Sequence, residues 1–158
     1  MEPPSSFTQT PAPDMAFHHV GVAVRSIDAA LGYYTDLFGL RQVSEPLEVP
    51  GERVRVCFLE APPGVLLELV EGLGEGSPVA DIVERTGAGT YHICYLVADL
   101  DAAIRALRAG GCHRLKRFER PGPGDPAVAG SPRRFAFLLT PDRQLFELCE
   151  AERGLEAP

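Results

Sequence analysis

The chain repeats itself, and that limits its fold more than any other feature. HVGVAVRSIDAAL from His19 lies over HICYLVADLDAAI from His92 at an offset of 73, with five identities in thirteen positions, where average composition supplies about one. FLEAPPGVLLELVE from Phe58 lies over FLLTPDRQLFELCE from Phe137 at an offset of 79, with seven identities in fourteen. The larger second offset requires only a longer loop in the second copy, and ERPGPGDPAVAGSP supplies one. Self-similarity of this kind marks two copies of one supersecondary unit.

Each copy reads alike. In the first, the apolar run from His19 to Val24 is a strand. Ser26 then caps a helix with an apolar stripe of Ile27, Ala30, Leu31, Tyr34 and Phe38, closed by Gly39. Strands follow around Val54–Glu60 and Val65–Val70, parted by the turn signal APPG. In the second copy His92–Val97 is the strand, and Asp99 caps a helix striped by Leu100, Ala103, Ile104 and Leu107 and ending at Gly110 and Gly111. Arg134–Leu139 and Gln144–Cys149 complete that copy. Between the copies, Ser77 and Pro78 open a short helix. The expected fold class is therefore α+β, with two tandem βαβββ modules in a pseudo-twofold arrangement forming a curved sheet around a metal cavity. The expected boundaries are an N-terminal tail over 1–16, modules over 17–73 and 90–150, a linker helix over 74–89 and a C-terminal tail over 151–158.

A chain of 158 residues holds one domain or two half-domains, and has no room for separate cofactor and substrate domains. Fifteen basic against twenty-two acidic residues give a net charge of −7 with no basic run, which argues against nucleic acid or an anionic membrane as partner. The N-terminal sequence lacks the basic and apolar regions of a secretory signal, and no apolar stretch approaches the ~20 residues of a bilayer span. A cytoplasmic protein is expected. Cys57, Cys94, Cys112 and Cys149 form no C-x-x-C pair, and three of them lie in apolar runs, so buried reduced thiols are expected.

Side chains alternate along a strand, so His19 shares a face with Gly21 and Ala23. Glu68 sits mid-strand with Leu66 and Val70, and Glu147 with Leu145 and Cys149, where an isolated ionised carboxylate is costly. A lone strand histidine is more often a hydrogen-bonded core residue, and a lone strand glutamate usually faces water. The same His-plus-Glu pair in both copies points instead to a shared centre, in which His19, Glu68, His92 and Glu147 hold one divalent cation. That mixed N/O set suits Mn²⁺, Fe²⁺, Co²⁺, Ni²⁺ or Zn²⁺. His18 faces the other way, matches Tyr91 in the second copy and reads as structural. His113 follows a helix end and reads as a surface or capping residue. Arg120, Arg133 and Arg134, in and beside the Gly/Pro loop 119–132, either grip an anionic substrate or stand in solvent. Serine-hydrolase, Walker and dinucleotide motifs are absent.

The stretches HHVGVAVRSIDAALGYYTDLFGL, SPVADIVERTGAGTYHICYLVADLDAAI and LFELCE resemble the vicinal-oxygen-chelate (glyoxalase/bleomycin-resistance/dioxygenase) superfamily, and within it the methylmalonyl-CoA epimerases. The resemblance runs from Phe17 to Ala151. It implies metal ligands at His19, Glu68, His92 and Glu147, an acyl or acyl-CoA substrate chelated by two oxygens, and a homodimer. It also implies an epimerase or isomerase that removes a proton α to a carbonyl, with Glu147 as one base. The family's other base falls on Val56, with Glu52 and Glu60 the nearest acids, and Thr140 stands where the family has histidine. An extradiol dioxygenase would use His19, His92 and Glu147 alone, and Glu68 counts against it. A glyoxalase I reading lacks recognisable glutathione-binding residues. The antibiotic-binding branch commonly lacks the four ligands present here.

Overall fold

Alternating apolar strands joined by capped helices form two α+β units, one taking in His18–Ile93 and the other running from Cys94 onward together with the residues up to Phe17. The computed structural model describes residues 11–49, 51–119 and 134–151. Residues 120–133, which take in all but the first residue of the Gly/Pro loop 119–132, together with residues 1–10 of the N-terminal tail and 152–158 of the C-terminal tail, lie outside the described residues.

The first unit holds β1 (Met15–Val24, counted here from His18), α1 (Ile27–Asp36), β2 (Arg41–Gln42), β3 (Leu47–Val49), β4 (Val54–Ala61), β5 (Val65–Gly72) and α2 (Pro78–Thr86). It also takes the opening of β6 (Gly89–Val97). Its strands run in the order β2-β4-β5-β1, with β3 also on β4. β1 and β5 are parallel and β4 and β5 antiparallel. The second unit repeats the scheme with the rest of β6, α3 (Leu100–Ala109), β7 (His113–Glu119), β8 (Arg134–Leu139) and β9 (Leu145–Glu150), in the order β6-β9-β8-β7.

The helix starts fall where the caps require. Ser26, Ser77 and Asp99 accept from the backbone N–H groups of Ala29, Ala80 and Ala102. Three expectations are corrected. α1 stops at Asp36 with Leu37 as its C-cap, so Phe38 falls outside the stripe and is 63% exposed. The single strand that the βαβββ pattern puts between α1 and β4 is instead two short edge pieces, β2 and β3, each paired antiparallel with a different end of β4. β1 begins at Met15, inside the expected tail, because Met15 packs against the cluster of Val97, Leu100 and Leu148. His113 is exposed, as expected of a surface residue, and is the first residue of β7, in register with Leu139.

One face of each unit's sheet is closed by its helix. Ile27 and Ala30 of α1 pack on Cys57, Leu59 and Leu69, and Leu100, Ala103 and Ile104 of α3 on Ala136, Leu138 and Leu148. On the first unit's other face, Val79 and Val83 of α2 meet Ala23, Val54, Val56 and Val70. Cys57, Cys94 and Cys149 are buried and reduced, as their apolar runs imply.

A charged clamp anchors each helix, and it obeys the repeat. Glu71 accepts a hydrogen bond from the Ile27 N–H at 2.8 Å, and Arg55 reaches Asp28 at 2.9 Å and Glu71 at 3.5 Å. In the second unit Glu150 accepts from the Leu100 N–H at 2.9 Å, and Arg134 reaches Glu150 at 2.8 Å and Asp101 at 2.6 Å. A carboxylate at a helix N-terminus satisfies an orphan N–H and faces the positive end of the helix dipole. The arginine then ties that carboxylate to the helix's own first turn. Arg134 is thus a structural residue of the second unit and not a solvated loop residue.

Candidate metal centre

Gly21 makes the centre possible. It is the Cα partner of Glu68 across the parallel β1–β5 pair. A Cβ at position 21 would lie 2.2 Å from Cε1 and 2.4 Å from Nδ1 of His92. The missing side chain is therefore the space that the His92 ring occupies. His19 stands two residues before it on the same face, and both imidazoles are almost completely buried.

Three of the four ligands expected from the sequence converge within the first unit. His19 Nε2 and His92 Nε2 are 3.0 Å apart, and Glu68 Oε2 is 3.3 Å from each. Donors about 2.1 Å from a common cation and at right angles stand roughly 3 Å apart. Two imidazole nitrogens and a carboxylate oxygen are also the donor chemistry of a borderline divalent ion. The set fits a metal on both counts. Burial pushes the Glu68 carboxyl up, but the adjacent His19 and His92 side chains outweigh it and hold the group well below its ordinary 4.5, at about 2. That balance favours the Glu68 anion. Glu147, the fourth expected ligand and the expected base, lies on β9 in the second unit, buried at 7% exposure and in register with Phe137.

Several residues that hold His19 in place were not assigned that role from the sequence. His18 and His19 approach through their Nδ1 atoms at 2.8 Å. His18, read as structural, is therefore a hydrogen-bond partner of a candidate ligand. The Phe58 ring stands edge-on to His19 with centroids 5.3 Å apart, and the Phe58 N–H donates to Ser44 Oγ at 2.8 Å. The His18–His19 doublet was the visible signal for the first contact. Ser44 and Phe58 carried none, because their role depends on how β4 is paired.

Val56, where the resembling family has a base, is buried among Val49, Val54 and Val70. Glu60 pairs with Arg41 at the β2 edge. Thr140 accepts from the Gln144 N–H at 2.9 Å and closes the β8–β9 turn.

Residues 18–137 match the model of the Glyoxalase/Bleomycin resistance protein/Dioxygenase superfamily, and the chain belongs to that superfamily. Within it the relatives include acyl-CoA epimerases and, at lower identity, lactoylglutathione lyases. The chain is 35% identical to the ethylmalonyl-CoA/methylmalonyl-CoA epimerase of Cereibacter sphaeroides, over 79% of this chain and 88% of that one. The crystal structure of methylmalonyl-CoA epimerase from Mycobacterium tuberculosis superposes with a TM-score of 0.71 at 28% identity, over 90% of this chain and 91% of that one. A Streptomyces coelicolor methylmalonyl-CoA epimerase solved with 2-nitronate-propionyl-CoA gives 0.69 at 26% identity, over 90% and 97%. The protein is an epimerase-like enzyme of the glyoxalase fold.

Proposed function

We propose that the enzyme is a divalent-metal-dependent epimerase of 2-alkylmalonyl-CoA-like thioesters, with His19, Glu68, His92 and Glu147 holding the ion and Glu147 also moving the α proton. The observation that carries this reading is the convergence of His19, His92 and Glu68 on one buried point. The epimerase relatives supply the substrate class. Glu147 enters on the repeat, in which it answers Glu68, and on its burial in β9.

When bound, the ion would act as a Lewis acid that polarises the thioester carbonyl and acidifies the adjacent C–H. The residues do the rest. In the ligating tautomer the His19 Nδ1–H donates to His18 Nδ1, which leaves the Nε2 lone pair aimed at the centre. Glu68 supplies negative charge, and the Phe58 ring shields His19 on one side. Glu147 accepts the proton from C2 and returns it. Val56 presents methyl groups where a second base would stand, which favours a variant reading in which proton exchange is catalysed from one face only. A cytoplasmic homodimer completes the proposal. Among the described residues no helix is long and apolar enough to cross a membrane.

The test is metal content of the wild type, Glu68→Ala and Glu147→Ala, followed by solvent deuterium incorporation at C2 of methylmalonyl-CoA and ethylmalonyl-CoA. About one equivalent of metal, lost in both variants, with label incorporation and inversion, supports the full reading. Label incorporation with retained configuration selects the one-face variant. Metal without incorporation on either thioester refutes the substrate class, and a metal-free wild type after reconstitution refutes the centre.

A further inference from the structure

We propose that Cys94, Cys149 and Glu147 form a second, sulfur-rich metal site that takes a thiophilic divalent ion such as Zn²⁺ or Cd²⁺. All three residues lie in the second unit, and both thiols are almost fully buried, at 0% and 1% exposure. The two Sγ atoms are 3.3 Å apart, and a carboxylate oxygen of Glu147 joins them with all three ligand atoms within 4.8 Å of one another. Glu147 and Cys149 alternate with Leu148 along β9 and so share a face, and Cys94 stands on the neighbouring strand β6.

The repeat shows that the fold does not need this sulfur pair. At the repeat offsets Cys94 answers Gly21 and Cys149 answers Val70, so the first copy builds the same strands with neither thiol. Two thiolates at about 2.3 Å from a tetrahedral ion stand roughly 3.8 Å apart, which asks the pair to open by about half an ångström. Two sulfurs and a carboxylate make three protein ligands and leave one position for solvent or a substrate atom. Soft thiolates select Zn²⁺ or Cd²⁺, whereas the imidazole–carboxylate set also serves Mn²⁺ and Co²⁺. Because the proposed centre above also claims Glu147, a thiophilic ion would draw that carboxylate away. That competition rests on the proposed function; the site itself does not.

The experiment titrates the metal-free full-length protein with Cd²⁺ and follows sulfur-to-cadmium charge-transfer absorption, with cadmium-edge X-ray absorption on the wild type to count sulfur ligands. Expected are saturation near one equivalent, two sulfurs in the shell, and loss of the band in Cys94→Ala and in Cys149→Ala. The band should survive in Cys112→Ala, and affinity should weaken at least tenfold in Glu147→Gln. His92→Ala separates the two readings. It should keep the cadmium band, while Co²⁺ binding to the same variant reports independently on the imidazole centre. A shell without sulfur in the wild type, a band that survives both cysteine substitutions, or a band lost in His92→Ala overturns the proposal. The wild-type sulfur count decides the matter if the cysteine variants do not fold.

Discussion

Gly21→Ala adds one methyl group, and the structure specifies what that methyl would strike. Its Cβ would lie 2.2 Å from His92 Cε1, 2.4 Å from Nδ1 and 2.7 Å from Nε2, against an ordinary contact of about 3.5 Å. Relief requires the ring to retreat by roughly 1 Å, several times the ±0.2 Å tolerance of a metal–ligand bond. His92 is then lost as a ligand. Metal affinity should fall at least ~100-fold, the upper end of what loss of a supporting partner alone costs. Stability should change far less, because alanine is better than glycine in a strand by about 0.5–1 kcal/mol, offset by an overpacking cost of about 1–3 kcal/mol. The assay is competition for Co²⁺ against a chromophoric chelator, paired with chemical denaturation. Gly32→Ala is the control, since a Cβ on that exposed face of α1 meets nothing within 4 Å. It should gain about 0.5–1 kcal/mol and leave metal binding unchanged. Wild-type affinity in Gly21→Ala would refute the claim that this glycine makes room for the ligand.

Three further outcomes follow from the same geometry. His18→Ala should weaken metal binding by roughly 10-fold with little change in fold, because His19 loses the partner of its Nδ1; His18→Gln, which can still accept that hydrogen bond, should restore part of the loss. Arg134→Met should destabilise the protein by about 1–2 kcal/mol in a denaturant titration, since it unties Glu150 and Asp101 from the start of α3 in a half-buried setting. Arg55→Met, whose Asp28 partner faces solvent, should cost less. In the metal-free protein, Glu68 is held below its ordinary 4.5, at about 2. Its contribution to stability is therefore complete above 4.5 and is lost as the pH falls toward 2, so the melting temperature should drop along that limb and Glu68→Gln should flatten the slope.

The sequence exposed the scaffold and the candidate ligands through one device, the repeat, and its reach explains what was missed. Strand runs and caps are local signals, so Ser26, Ser77 and Asp99 could be placed without knowing the fold. The split of the strand after α1 into β2 and β3 depends on pairing along β4, which no local pattern encodes. Arg134 was read with the Gly/Pro loop, because an arginine beside glycines and prolines looks solvated until Asp101 and Glu150 are seen around it. Yet the offsets already carried the clamp: Asp28 over Asp101 at 73, and Arg55 over Arg134 and Glu71 over Glu150 at 79.

A charged residue that recurs with its partners in both copies does a job each unit needs separately, and here that job is anchoring a helix to a sheet. A site that serves one reaction has to depart from the repeat wherever the two copies do unequal work. Gly21 against Cys94 is such a departure: the first copy gives up a side chain to admit the His92 ring, and the second places a buried thiol at the matching position. Identity across the offset thus marks either scaffold that each unit needs or candidate ligands that both copies offer, and difference on the same face marks where the two copies do unequal work.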